Sequence, residues 1–409
     1  MRIMNNNIIR NQVQQEAVEA WLSANKKGTF EMGTGVGKTI SALHCLNSMP
    51  KNDGKVHVFL AETREREKDL MNDIQKYKQL FNVDILKEYN LKFLTYQAAY
   101  KSQGYDLGLV IADEIHFALS PEYFKFFKYN QYDAIVCLSA TIDRNFGYLI
   151  NNKIVTKGEM LDSIAPVCYT YTISQAKDDG IGRNINIYVV YSDLDDTTKN
   201  IKAGSQKKPF FQTEKQSYVY WDKEHTKSWF IEDPEMKSLK IRITASKRSK
   251  LLFELPHKVE NAKKLLDIIQ GKTLVFGNNL DSLLRVTNNV VSSRNDESRN
   301  NAIREHFEHG RIKTIGSFKQ LLQGANIKEL DNLIIMSYYS KSKDLVQRLG
   351  RLRKNQEKVG SAFIFVTRNT QEEVWFSKMI DGLTSFNFIN CNNIDEAITK
   401  YLHNETKET

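Results

Sequence analysis

Short apolar runs rich in β-branched residues recur along this chain. Each is followed by a longer amphipathic stretch, and that alternation limits what the chain can fold into. A strand that feeds a helix and then a parallel strand is the α/β unit, so repeated alternation predicts parallel sheets covered by helices. The first series predicts strands over 28–32, 56–61, 91–95, 107–113 and 134–139, with helices over 39–47 and 65–79. A second series starts near His257 and predicts strands over 273–277, 313–317, 333–338 and 361–366. Two series in 409 residues fit two domains of ordinary size. The division predicted is 1–165 for the first domain, 166–256 for a linker and insertion, and 257–409 for the second domain with a helical tail.

The texture changes between the two series. Lys199–Lys208 reads as a polar loop. Tyr218–Trp221, Trp229–Glu232 and Leu239–Thr244 read as short antiparallel strands, with a hairpin turn over Asp222–Lys227, which makes the insertion β-rich. Charge concentrates in the same place. The whole chain carries +9, and Lys199–Lys264 holds 16 Lys and Arg against 8 acids, a net +8. Aromatic residues interleave with these cations, among them Trp221 and Trp229, and such a surface can stack bases. An ordinary aromatic core under solvated lysines produces the same pattern, and both readings stay open here.

Several classes drop out. Cys45, Cys137, Cys168 and Cys391 lie far apart in sequence, so no CxxC-type zinc or redox motif exists and reduced, mostly buried thiols are expected. No run of about 18 apolar residues predicts a membrane span. The first residues lack an apolar signal core, so a cytoplasmic protein is expected.

The strongest local signal is Gly35-Val36-Gly37-Lys38-Thr39, between a predicted strand and helix. Glycines let the backbone turn so that N–H groups face phosphate oxygens, and the helix N-terminus adds the positive end of its dipole. Lys38 would reach the β- and γ-phosphates and the Thr39 hydroxyl would ligate Mg²⁺. Gly33, Thr34, Gly35, Val36 and Gly37 complete the cradle, although Met32 stands where the strict pattern has its first glycine. Farther on, an apolar strand ends in Asp113-Glu114-Ile115-His116. Acids at the carboxyl end of a buried parallel strand sit where α/β proteins bind ligands. Asp113 suits the outer shell of Mg²⁺, and Glu114 suits activation of an attacking water.

In this order, the phosphate loop, Asp113-Glu114-Ile115-His116 and Ser139-Ala140-Thr141 resemble motifs I, II and III of the superfamily 2 DExH-type helicases. Gln347-Arg348-Leu349-Gly350-Arg351-Leu352-Arg353 is similar to motif VI, and Gly324-Ala325-Asn326-Ile327 to motif V. Ala61-Glu62-Thr63-Arg64 resembles motif Ia, Thr95-Tyr96-Gln97 motif Ic, and Gln14 the glutamine that recognises adenine. The resemblance covers about 8–380 and leaves the central insertion uncovered.

That resemblance implies two tandem RecA-like domains that use ATP and Mg²⁺. Arg351 would be a finger on the γ-phosphate, with Arg353 or Lys354 in the second position, since the usual second arginine is Lys354 here. Gln347 and His116 would couple hydrolysis to domain movement, and Ser139 and Thr141 would link the ATP site to the nucleic-acid track. Thr63, Arg64, Thr95, Gln97 and Gly324 would contact the strand backbone. The compact chain and its motif V region resemble phage-encoded DNA repair and recombination helicases, which act on forked or branched DNA in the bacterial host cytoplasm, and a monomer is expected. The alternatives are an RNA helicase, a duplex DNA translocase without strand separation, and a nucleic-acid scaffold that binds ATP without turnover.

Overall fold

The computed structural model describes residues 2–408 apart from 34, 141, 151, 182–183, 206, 319–329, 341–344, 346–347, 354–358, 382 and 384–385. It divides into two compact units, with the change of unit between Gly182 and Arg183. In the first unit the strands are β1 (Lys27–Met32), β2 (Val56–Ala61), β3 (Asn90–Thr95), β4 (Asp106–Ala112), β5 (Gln131–Ser139), a small antiparallel hairpin of β6 (Gly147–Ile150) and β7 (Lys153–Thr156), and β8 (Val167–Tyr171). Six of them make one parallel sheet in the order β3-β2-β4-β5-β1-β8.

Helices cover both faces of that sheet, and side chains alternate between two cores, as the pleat requires. Ala134, Val136 and Leu138 face a core that also holds Val13, Ala17 and Trp21 from the helix Arg2–Ser23. Ile135 and Cys137 face the other core, with Phe126, Phe127 and Leu161. Trp21 fixes the first helix to the sheet, donating from Nε1 to the Ile135 carbonyl at 2.8 Å.

The second unit has its own parallel sheet. Its strands are β9 (Ile185–Ser192), β12 (Thr273–Gly277), β13 (Val290–Val291), β14 (Thr314–Phe318), β15 (Asn332–Ile335), β16 (Gly360–Thr367) and β17 (Asn387–Cys391), ordered β13-β14-β12-β15-β16-β9-β17. Tyr188 stacks on Phe363 at 4.9 Å between centroids, beside helices Pro256–Ile268 and Ile394–Glu408. Between β9 and β12 lies a hairpin of β10 (Ile201–Ser205) and β11 (Lys208–Gln212), then the helices Glu214–Ser228 and Pro234–Glu254.

Three expectations are corrected. The insertion is only partly β. Its antiparallel hairpin lies at 201–212, including residues read as a loop, while Tyr218–Trp221 and Leu239–Thr244 are helical, Asp222–Lys227 is the C-terminal half of the helix Glu214–Ser228, and Trp229–Glu232 is the link between two helices rather than a strand. Helix caps override the period-two pattern there. Thr213 and Gln216 form a capping box, Asp233 accepts from the Met236 N–H at 2.7 Å, and Pro234 opens the second helix. Residues 166–256 are also not one segment, because β8 completes the first sheet and β9 is internal to the second. The tail is not purely helical, because β17 pairs with β9 before the last helix.

All four cysteines are free thiols, and only Cys168 is incompletely buried. Among the described residues no helix is long and apolar enough to cross a membrane.

One buried ion pair within the second unit joins the helix Pro256–Ile268 to the helix Gln371–Ile380. Lys258 and Glu372 are 1% and 0% exposed and bond to each other. Lys258 also donates to the Leu252 carbonyl at 3.0 Å, and Glu372 accepts the Thr367 N–H at 3.1 Å. Truncating one partner strands a buried charge. Glu372→Ala should therefore cost about 3–5 kcal/mol in urea unfolding, while Lys258→Met combined with Glu372→Leu should cost less, the remainder coming from the Thr367 N–H and Leu252 carbonyl left without partners.

Candidate functional site

Parallel pairing puts the carboxyl ends of β1 to β5 on one edge of the first sheet, where open α/β sheets bind ligands. Gly33–Thr39 follows β1, Thr63 and Arg64 follow β2, and Thr95 closes β3. Asp113 and Glu114 follow β4, and Ser139 closes β5.

The loop after β1 depends on its glycines. Gly35 and Gly37 take φ of +85° and +104°, where a side chain is strained. Gly37 caps the helix Lys38–Asn47, whose first N–H groups have no partner within the helix and can face an anion. A Cβ on Gly37 would lie 2.2 Å from Gln14 Nε2. Gln14 is buried and donates to the Val36 carbonyl at 3.1 Å, so the first helix braces the loop from behind. Met32 is fully buried inside β1, ahead of the turn. Its carbonyl accepts Lys38 Nζ at 3.1 Å, and the same ammonium lies 3.8 Å from the Glu114 carboxylate.

Two further links tie the strand ends together. His116 Nδ1 lies 3.2 Å from Glu114 Oε2 and 3.3 Å from Ser139 Oγ, joining the ends of β4 and β5. The Tyr96 hydroxyl donates to the Asp113 carbonyl at 2.7 Å, and Lys157 donates to the His116 carbonyl at 3.1 Å. Glu114 itself has φ of +48°, a strained conformation for a residue with a Cβ, of the kind that clusters at functional sites.

Arg66, on the first turn of the helix Glu65–Phe81, reaches into this group. Its Nη2 donates to Thr39 Oγ1 and its Nε to Asp113 Oδ2, both at 2.6 Å. Asp73 and Asp69 lie 3.7 and 4.0 Å from its Nη1. Burial opposes the charged guanidinium, yet the attraction of Asp113 and the hydrogen bond to it prevail and hold Arg66 protonated above its ordinary range. Burial pushes the Asp73 carboxyl up, against the pull of Arg66 and the Thr39 hydroxyl. The sequence reading missed Arg66, Asp69 and Asp73. Their spacing was the available signal, because residues three and seven positions apart share a helix face.

Among the other site residues, Arg64 and Gln97 are exposed and Thr63 is half-buried. Thr95 spends its hydroxyl capping the turn Tyr96–Ala99, accepting from the Ala98 N–H at 3.2 Å. Thr34, Thr141, Gly324, Asn326, Gln347 and Lys354 lie outside the described residues. Gly350–Arg353 forms a short 3₁₀ turn, and the side chains of Arg351 and Arg353 are also outside what is described. Arg348 is buried, with its guanidinium 5.0 Å from the Phe276 ring centre and donating to the Ser337 carbonyl, which pins this segment to the second sheet. Trp221 is half-buried against Tyr218, Leu251, Leu252, Phe253 and Leu255, whereas Trp229 is 53% exposed.

Residues 7–144 match the family described as "Type III restriction enzyme, res subunit". A "DNA 3'-5' translocase XPB2" from Sulfurisphaera tokodaii is 24% identical over 383 residues, covering 88% of this chain and 82% of that protein. Among solved structures, S. cerevisiae Dbp5 bound to RNA and ADP BeF3 aligns with a TM-score of 0.61 at 11% identity, over 97% of this chain and 92% of that one. The type ISP restriction-modification enzyme LlaBIII bound to DNA aligns at 0.55 and 13% identity, over 93% of this chain and 31% of that one. The Pyrococcus furiosus Hef helicase domain aligns at 0.51 and 12% identity, over 91% and 96%.

Substituting Gly37 tests the loop geometry. Gly37→Ala combines a strained φ with a clash against Gln14, and should lower stability by about 1–3 kcal/mol in urea unfolding monitored by circular dichroism.

The chain thus has two parallel-sheet α/β domains that resemble tandem RecA-like helicase domains, and the matches support an ATP-hydrolysing, nucleic-acid-dependent enzyme.

Proposed function

We propose that this chain is an ATP-dependent DNA helicase or translocase that couples hydrolysis to movement on DNA and remodels forked or branched DNA. One observation carries the reading. A left-handed glycine turn at a helix N-terminus, a lysine and an acid pair share one sheet edge, with Lys38 3.8 Å from Glu114. In this reading the loop amides and Lys38 hold the β- and γ-phosphates, and Gln14 serves at the adenine end. Glu114 orients the attacking water, held by its strained backbone and by His116.

Thr39 and Asp113 fit a divalent ion, because both already converge on a single cation at 2.6 Å. Among the described residues no group of three or more His, Cys, Asp or Glu could hold a metal. One carboxylate beside one hydroxyl suits Mg²⁺, which is usually held by one or two carboxylates together with substrate phosphates. When bound, the ion would neutralise charge developing on the phosphates. The finger role of Arg351, the second position at Arg353 or Lys354, and the coupling roles of Gln347 and Thr141 rest on sequence order.

Thr63 and Arg64 follow β2, Thr95 closes the neighbouring β3 and Gln97 follows it, and Ala61 is the register partner of Thr95. One strand backbone could lie across both ends, with Gly324 as a further contact. Phosphate contacts of this kind give affinity without sequence preference and a strong salt dependence. The insertion supplies an accessory surface, with Phe210, Phe211, Trp229 and Phe230 exposed in the segment that carries the net +8. Trp221, half-buried against Tyr218 and Leu251, would add only its exposed edge to that surface.

DNA is favoured over RNA by the matched translocase and by Asp-Glu-Ile-His in place of Asp-Glu-Ala-Asp. The same relative's description as a translocase favours movement on duplex DNA without strand separation as the second reading. A phage-encoded repair and recombination enzyme, acting as a monomer in the bacterial host cytoplasm, completes this reading and rests on the resemblance of the Gly324–Ile327 region.

ATPase rates with single-stranded DNA, duplex DNA, a fork, a four-way junction and RNA, alongside strand separation, test these readings. DNA should stimulate more than RNA, and Lys38→Ala should lose about 10²–10³-fold in kcat. Stimulation by no polymer would reject the motor, RNA-only stimulation would reject DNA, and stimulation without strand separation would favour the duplex translocase.

A further inference from the structure

We propose that Arg66 is a built-in counter-cation, standing between Thr39 and Asp113 where the divalent ion would bind, so that the metal–nucleotide complex enters only when the guanidinium moves aside. This rests on the nucleotide-binding reading above and adds a residue that the reading does not use.

The geometry is specific. A guanidinium presents five donors in a fixed fork, and here two of them are spent on the two groups assigned to the metal, Thr39 Oγ1 and Asp113 Oδ2. The side chain is largely buried, so this is not a loose surface pair. A third donor, Nη1, already lies 3.7 Å from Asp73 and 4.0 Å from Asp69, on the same face of the helix. A small rotation of the side chain therefore exchanges Thr39 and Asp113 for Asp73 and Asp69, keeping the charge paired in both positions. Two positions with comparable partners make a switch that a ligand can bias, provided it favours one of them. Mg²⁺ does, because Arg66 and the metal repel each other and compete for the same oxygens.

The placement also links the metal site to the nucleic-acid edge. Arg66 lies in the first turn of its helix, two residues after Arg64, and its N–H donates to the Thr63 carbonyl at 3.3 Å. A strand held at Thr63 and Arg64 would thus shift the backbone that carries Arg66.

The rival role for a buried arginine here is a direct ligand to the γ-phosphate, and the two roles predict opposite signs. Binding of Mn²⁺ with a non-hydrolysable ATP analogue is measured by electron paramagnetic resonance and by fluorescent-nucleotide titration, in the full chain and in its Arg66→Gln, Arg66→Lys and Lys38→Ala variants. Arg66→Gln should bind Mn²⁺–nucleotide at least about fivefold more tightly and need less Mn²⁺ for half-saturation. Arg66→Lys, which keeps the charge without the fork, should fall between. Unchanged or weaker binding in Arg66→Gln, with native circular dichroism, would overturn the counter-cation role. Absence of Lys38-dependent nucleotide binding by the unsubstituted chain would instead overturn the nucleotide reading itself, and the proposal with it. A gain in affinity cannot come from misfolding.

Discussion

Parallel pairing of β5 with β1 on one side and β4 on the other is the constraint on which the site depends. It puts the phosphate loop and the acid pair at one edge, though 75 residues separate Lys38 from Asp113. Register holds it there. Ala134, Val136 and Leu138 belong to one core and Ile135 and Cys137 to the other, so a slip of one residue would turn each set to the wrong face. The polar links at the strand ends, through His116 and Lys38, are secured by that apolar agreement rather than the reverse.

Charge is the second organising fact at this edge. Two cations, Lys38 and Arg66, face four acids, Asp69, Asp73, Asp113 and Glu114. Where water is partly excluded such pairs interact more strongly than on an open surface. Arg66 donates a hydrogen bond to Asp113, and the other three acids lie 3.7–4.0 Å from Lys38 or Arg66. A polyphosphate with its metal would bring both charge signs at once and redistribute those partners. Recognition and rearrangement then belong to one process, as a motor requires.

Much of the architecture was legible in the sequence, because buried parallel strands are continuous apolar runs. Val56–Ala61 and Thr273–Gly277 match the observed bounds, and the other strands of the two series differ by a few residues at their ends. The motif residues of the first unit were also legible, since glycine turns and strand-end acids have local signatures. What failed depended on distant partners. β8 and β17 are partly exposed strands, and β9 precedes the insertion while its partners β16 and β17 come far later in the chain. The helix pair of the insertion was misread because aromatic and alternating residues imitate strands, while the deciding signals were the caps at Thr213 and Asp233. Arg66 was passed over because nothing in its neighbourhood in sequence shows that Asp113 lies beside it; only the β2–β4 pairing brings the two together.

The central claim is that this sheet edge receives a nucleotide with its metal. Amide hydrogen exchange, compared with and without Mg²⁺ and a non-hydrolysable ATP analogue, tests it most directly. The account predicts protection concentrated in 33–41, at the end of β2 through Arg66, and in 113–116, with little change in the Lys258–Glu372 region. Protection confined to other parts of the chain, or none at 33–41, would contradict it.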